Sequence, residues 1–104
     1  MSTLLFIQAS VPDDPEIRRR YRDYQARVMP LIASHGGRLL ATGQQLEAFE
    51  GDPPNRRVIV LEFPNSDALR AFWTSEDYAE VRRLREGCTV TAWALPSINR
   101  APTG

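Results

Sequence analysis

Arg57-Val58-Ile59-Val60-Leu61-Glu62-Phe63 is the stretch that decides the fold, because its unbroken run of β-branched and large apolar residues is typical of a strand. A turn-forming segment, Gly51-Asp52-Pro53-Pro54-Asn55, precedes it. Before that turn, Arg38–Gln45 predicts a partner strand, which residues 46–50 could extend past a bend at Gly43. The two strands and their turn therefore predict a hairpin.

Downstream of this hairpin, the sequence predicts a helical region in two pieces and a last strand. Pro64-Asn65 closes the strand Arg57–Phe63, and Ser66 has the side chain of a helix cap. Ser75 predicts a second cap after a break, and Gly87 ends that second piece. The segment Thr89–Leu95 is rich in Thr, Val and Trp and predicts a strand.

Upstream of the hairpin, the sequence predicts a strand and a long helix. Leu4–Val11 is short and mostly apolar, and Asp13-Asp14-Pro15-Glu16 combines an Asp cap, an early proline and first-turn acid. Apolar residues then recur in steps of three and four from Ile17 to Ile32, which is typical of one helix face. His35-Gly36-Gly37 predicts the end of that helix.

The predicted order is β-α-β-β-α-β, which is the ferredoxin-like plan of the α+β class. This plan has a four-stranded antiparallel sheet with both helices on one face. Residues 1–96 are predicted to form one domain, because 104 residues suit one domain and leave no room for two. The polar, proline-bearing segment 97–104 is predicted to be an irregular tail.

Composition and charge exclude several classes of function. A net charge of zero argues against the phosphate attraction of a nucleic-acid binder. All 13 basic residues are arginine, so no lysine is present for Schiff-base chemistry. No stretch approaches the length of a membrane-spanning helix, and the N-terminus lacks the basic and apolar regions of a secretory signal. A cytoplasmic protein with no membrane partner is therefore expected.

The two central strands predict a homodimer. Leu4–Ile7 and Val58–Leu61 are apolar on both faces, whereas two helices can cover only one face of the sheet. A second copy of the same sheet would cover the other face around a two-fold axis. Gln8 and Glu62 interrupt these strands, and two arrangements are open: a neighbouring polar pair, or two strand ends in solvent, which we favour because glutamate is rarely buried unpaired.

The chain also resembles the family called domain of unknown function 1330, and the resemblance extends from Leu4 to Trp93. The residues that carry it are Tyr24, Val28-Met29-Pro30, His35-Gly36-Gly37-Arg38, Gly43, Glu47, Glu50-Gly51, Arg57, Glu62-Phe63-Pro64, Trp73, Ser75, Tyr78, Arg82 and Arg85. The resemblance implies membership of the dimeric α/β-barrel superfamily, in which the active cavity lies between helices and sheet. That superfamily includes cofactor-independent monooxygenases and lactone isomerases, but the fold alone does not fix a function.

Two residues are candidates for catalysis, His35 and Tyr24. His35 is the single histidine, and an imidazole titrates near neutral pH, which suits a general acid or base. The alternative is a residue that caps the end of its helix. A lone histidine with no neighbouring ligands does not predict a metal site, and we expect no cofactor. Tyr24 lies on the apolar face of the first helix, where its hydroxyl either points into a cavity or packs with the core.

Three residues are candidates for ligand binding, Trp73, Tyr78 and Arg82. The two aromatic side chains could form the wall of a site for a small apolar or aromatic ligand, or they could simply fill the core. Arg82 follows Tyr78 by four residues, which places both on one helix face. It could bind a ligand carboxylate or belong to a solvated surface.

Two functions follow from these candidates. The first is a cofactor-independent enzyme, monooxygenase-like or isomerase-like, that acts on a small molecule. The second is a non-catalytic dimeric module that binds a metabolite or a partner.

Overall fold

The computed structural model describes residues 1–98 and confirms the predicted order of elements. The sheet is antiparallel with the strand order β2-β3-β1-β4, so that β1 and β3 are central. The second helical region is divided in two, as predicted. The elements are β1 (Thr3–Ser10), α1 (Pro15–Ser34), β2 (Arg38–Gly43), β3 (Arg57–Phe63), α2 (Ser66–Trp73), α3 (Glu76–Arg82), a 3-10 turn (Arg83–Arg85) and β4 (Thr89–Pro96).

Polar side chains cap the three helices. Asp14 accepts hydrogen bonds from the backbone N–H groups of Glu16 and Ile17, both at 3.0 Å, which satisfies donors that the first turn of α1 leaves free. Ser75 caps α3 as predicted. The predicted cap Ser66 is wrong by one residue: Asn65 caps α2, because its extended backbone lets its side chain accept from the N–H of Ala68 at 2.8 Å.

Strand β2 is shorter than predicted. It ends at Gly43, and residues 46–50 form no strand. Strand β2 ends there because its partner strand, β3, begins at Arg57 and Gly43 already pairs with Val58. Residues beyond Gly43 therefore have almost no backbone left to pair with, and the chain crosses to β3 as a loop.

Alternation along the strands separates two faces of the sheet. Leu5 of β1 and Leu61 of β3 point toward the helices and are buried in the core. The helices contribute Val28, Ile32, Leu69, Phe72 and Tyr78 to that core. All three helices pack on this one face.

The opposite face, which we call the open face, carries large apolar side chains that no described helix or strand covers. Phe6 of β1 and Trp93 of β4 stack with ring centroids 6.0 Å apart, and Val60 lies opposite Phe6 on β3. Trp93 is 45% exposed. The open face is thus apolar on β1 and β3, as the sequence predicted, and on β4 as well.

Gln8 and Glu62 lie toward opposite ends of the open face and do not form a neighbouring pair, but both are half-buried and not fully in solvent as favoured from the sequence. Gln8 is opposite Val58, whereas Glu62 is opposite Leu4. Glu62 forms an ion pair with Arg38 of the edge strand at 2.7 Å.

The tail begins with one backbone hydrogen bond. The N–H of Ser97 donates to the carbonyl oxygen of Ser2 at 3.0 Å, which holds the end of β4 beside the start of β1. The remainder of the predicted tail, residues 99–104, lies outside the described residues. Within residues 1–98, no helix has the length and apolar character needed to cross a membrane.

Candidate functional site

A cavity of about 230 Å³ lies between the helices and the sheet. Its inner wall includes the buried side chains of Leu5, Leu61 and Phe72. Its exposed lining residues belong to α1 and β2, among them Met29 and Leu39, so the cavity opens between that helix and that edge strand. An apolar cavity of about 150 Å³ accommodates benzene. This cavity therefore suits a somewhat larger molecule, on the order of ten non-hydrogen atoms.

Two tyrosine hydroxyl groups meet in the wall of the cavity. The hydroxyl oxygens of Tyr24 and Tyr78 lie 3.1 Å apart and form a hydrogen bond. Tyr24 comes from the apolar face of α1, and Tyr78 comes from α3, where its ring packs on Phe72 and Trp73 with centroid distances of 4.5 and 5.2 Å. Burial raises the pKa of Tyr24, and its proximity to Tyr78 raises it further. Tyr24 is therefore a proton-bearing hydrogen-bond donor near neutral pH.

Arg85 completes this group. Its Nη2 donates to the hydroxyl oxygen of Tyr78 at 3.4 Å, and its guanidinium carbon lies 5.8 Å from the centroid of the Tyr24 ring. Its Nε atom is buried without a hydrogen-bond partner. In the described part of the chain, no carboxylate forms an ion pair with Arg85. The cavity wall thus contains a positive charge that the described residues do not neutralise.

A second arginine, Arg57, lines the cavity from β3. Its Nη1 donates to the hydroxyl of Thr42 across the hairpin at 3.3 Å. Burial raises the pKa of Tyr21, and the positive charges of Arg57 and Arg85 partly oppose this rise. Both guanidinium groups therefore act electrostatically on this one hydroxyl. Arg57 pairs with Ala9 of β1. Ala9 lies four residues from Leu5, so these two positions are about 13 Å apart along the strand. The cavity therefore has a cationic end and an apolar end.

Three of the five residues predicted from the sequence come together here. Tyr24, Tyr78 and Trp73 all line the cavity. Arg82 does not: its guanidinium carbon lies 5.7 Å from the centroid of the Tyr78 ring, but its side chain is outside the lining. Arg85, which sequence reasoning left out of the candidate site, occupies the position predicted for Arg82. Regular helical spacing did not indicate it, because α3 ends at Arg82 and Arg85 lies in the 3-10 turn that follows.

His35 lies away from the cavity, at the end of α1. Its Nδ1 is 3.0 Å from the carbonyl oxygen of Leu31, and since a carbonyl only accepts, this nitrogen carries the proton. The edge of the ring packs on Phe72 with centroids 5.8 Å apart. The contacts of His35 are those of a helix-capping residue, and its position gives no support to a role in proton transfer.

The lining determines what the cavity can do chemically. Neutral hydroxyl donors and guanidinium groups contact the cavity, but none of the described lining residues has a carboxylate, an imidazole or a thiol. Such a wall can bind and stabilise a negatively charged oxygen, and it has no strong base. Residues 1–98 contain no cluster of three or more His, Cys, Asp or Glu side chains that could hold a metal ion.

The strand order, the packed helices and the cavity between them define a ferredoxin-like protein. Its sequence matches the family model described as "Domain of unknown function (DUF1330)" over residues 6–95, so the chain belongs to that family. None of the curated proteins matches the sequence.

Solved structures with the same fold share little sequence with this chain. A protein of unknown function from Rhodopseudomonas palustris is 17% identical, with a TM-score of 0.71 over 95% of this chain and 84% of that one. A dimeric ferredoxin-like protein of unknown function from Jannaschia sp. CCS1 is 13% identical, with a TM-score of 0.69 over 91% and 99%. SnoaB, a cofactor-independent oxygenase from Streptomyces nogalater, is 15% identical, with a TM-score of 0.66 over 97% of each chain. At these identities the likeness shows the fold alone.

Proposed function

We propose that this protein is a homodimeric, cofactor-independent enzyme that acts on a small apolar or aromatic molecule inside the cavity, by oxygenase-like or isomerase-like chemistry. One observation carries the proposal: the hydroxyl groups of Tyr24 and Tyr78 and the guanidinium of Arg85 meet in the wall of an otherwise apolar cavity. The fold shared with a cofactor-independent oxygenase supports it.

These three side chains are suited to stabilising an oxyanion. Oxygenation and isomerisation without a cofactor both require the substrate to carry negative charge on an oxygen, as in an enolate. Donors fixed in a water-poor site stabilise such charge far better than water does. Because Tyr24 keeps its proton near neutral pH, we assign it hydrogen-bond donation and not proton abstraction. The substrate would then lose its proton to solvent water, from a carbon that neighbouring carbonyl groups make acidic enough to ionise near neutral pH.

The test uses two small enolisable ketones, benzoylacetone and 1,3-indanedione, in air. Oxygen uptake reports oxygenation, and deuterium exchange at the acidic carbon, followed by NMR, reports proton transfer. We expect Tyr78→Phe to lower either rate by about 100- to 1,000-fold, the range measured for the loss of one oxyanion donor. Phe49→Ser, in an exposed loop far from the lining, is the control and should not change the rate. Rates that equal those of buffer, or that Tyr78→Phe leaves unchanged, would refute the catalytic role.

A second candidate is a non-catalytic module that binds a metabolite. The observation that favours it is the lack of any carboxylate, imidazole or thiol among the described lining residues. The two functions differ in one outcome, because a binding module would retain its ligand unchanged after prolonged incubation, whereas an enzyme would convert it.

The homodimer in this proposal uses the open face. Phe6, Val60 and Trp93 form a continuous apolar surface there, and an exposed surface of this kind is typical of an interaction site. Pairing two copies face to face buries the same residues of both protomers around a two-fold axis. The dimeric ferredoxin-like protein with the same fold supports a dimer. A cytoplasmic location and the absence of nucleic-acid and membrane partners remain predictions from the sequence.

A further inference from the structure

Among the described residues, Arg85 lacks the carboxylate partner that several surface arginines have. Arg18, Arg19, Arg38 and Arg70 lie at the surface, and each forms an ion pair with a nearby carboxylate. Arg85 is half-buried, yet no carboxylate among residues 1–98 pairs with it. A charge removed from water is costly unless a partner compensates it. The cavity wall thus contains, in Arg85, a half-buried positive charge that has no counter-ion among residues 1–98.

The surroundings of Arg85 leave hydrogen-bonding capacity free. Its Nη2 reaches the Tyr78 hydroxyl only at 3.4 Å, and its Nε is buried and unbonded. Arg57 adds a second guanidinium to the lining, where it donates to Thr42. Guanidinium groups present a planar fork of donors that matches the two oxygens of a carboxylate. This end of the cavity therefore offers a set of donors with no acceptor of matching charge.

We propose that the cavity binds a small amphipathic carboxylate, with its head group on Arg85 and the hydroxyl of Tyr78 and its apolar body against Leu61, Phe72 and Trp73. This inference rests on the ligand cavity of the proposed function, and it holds whether the ligand is converted or only bound. It also sets the size of the ligand, because a cavity of about 230 Å³ suits an acid of roughly eight to twelve non-hydrogen atoms.

Octanoate and 1-octanol are matched probes, because they share the apolar chain and differ in the charged head group. Isothermal titration calorimetry on the intact protein measures both affinities. We expect octanoate to bind at least about 10-fold more tightly than 1-octanol. Arg85→Gln should weaken octanoate binding by about 10- to 100-fold, the usual value of hydrogen bonds to a charged group, and should leave 1-octanol binding unchanged.

Three further variants make the result specific. Arg83→Gln removes a neighbouring charge that does not line the cavity and should not affect octanoate binding. Arg85→Lys keeps the charge but loses the planar fork, and should give an intermediate affinity; it also serves if Arg85→Gln fails to fold by circular dichroism. Arg82→Gln tests the residue that the sequence had indicated, and a larger loss there than for Arg85→Gln would overturn the assignment to Arg85.

The outcomes separate the carboxylate site from the cavity itself. Equal affinity for octanoate and 1-octanol, or no loss in Arg85→Gln and Arg85→Lys, would overturn the carboxylate site while the cavity remained a ligand site. If neither probe bound, the ligand cavity and therefore the proposed function would fail as well. Tight octanoate binding that depends on Arg85 would support both.

Discussion

Replacing Trp93 with glutamate should separate the proposed face-to-face dimer into monomers. Trp93 is 45% exposed in the single protomer. A tryptophan presents up to about 250 Å², so roughly 110 Å² per protomer is available for burial in a face-to-face dimer. At about 25 cal/mol per Å², this is about 2.8 kcal/mol per protomer and about 5.6 kcal/mol for the two copies. Loss of that energy weakens the dimer on the order of 1,000-fold or more, and the buried glutamate charges weaken it further.

The assay is sedimentation equilibrium over a range of protein concentrations, combined with circular dichroism. Trp93→Glu should behave as a folded monomer at concentrations where the unaltered protein is a dimer. Its fold should survive, because within the protomer Trp93 is half exposed and stacks only on Phe6. Phe49→Glu is the control, since Phe49 is 90% exposed on the loop between β2 and β3 and should not affect association. A monomeric unaltered protein, or a Trp93→Glu dimer of unchanged affinity, would refute the face-to-face dimer.

Two further predictions concern the stability of the protomer. Gly37→Ala should lower the free energy of unfolding by about 2 kcal/mol, because its new Cβ would lie 2.7 Å from Cγ2 of Ile32 and 2.8 Å from Cε1 of Phe63. Gly43→Ala, where nothing lies within 4 Å, should change it by less than about 0.5 kcal/mol, and equal effects in urea unfolding would contradict the packing described. The pKa of Tyr24 is raised in the folded protein, so its stabilising contribution is complete below about pH 10, the ionisation range of an exposed tyrosine, and is lost as the pH rises further. Stability measured from pH 8 to 11 should therefore fall less steeply in Tyr24→Phe, and identical slopes would show that Tyr24 is not buried as described.

The sequence predicted the fold well because its local signals agree with one another. The run Val58–Leu61 and the cap at Asp14 have strong propensities that the tertiary structure preserves. The error in the length of β2 arises because a distant part of the chain determines where that strand can pair. Residues after Gly43 lack a paired strand only because β3 begins at Arg57, and no local feature of residues 46–50 reveals this.

The candidate site was harder to predict because it depends on how elements meet. Tyr24 and Tyr78 are 54 residues apart and meet only because α1 and α3 pack on the same face of the sheet. His35 attracted attention as the single histidine, but its position at the end of α1 directs its ring to Leu31 and Phe72. Arg85 lies in a 3-10 turn after α3, where regular helical spacing no longer fixes the direction of a side chain.

The measurement that tests the cavity most directly is a crystal structure of the protein with octanoate. A bound molecule should fill the space between α1 and the sheet, with its carboxylate oxygens about 2.7–2.9 Å from the nitrogens of Arg85 and its chain against Phe72 and Trp73. A structure in which Tyr24, Trp73 and Tyr78 close the cavity and exclude octanoate, or in which octanoate binds only to the open face, would contradict the assignment of this cavity as the functional site.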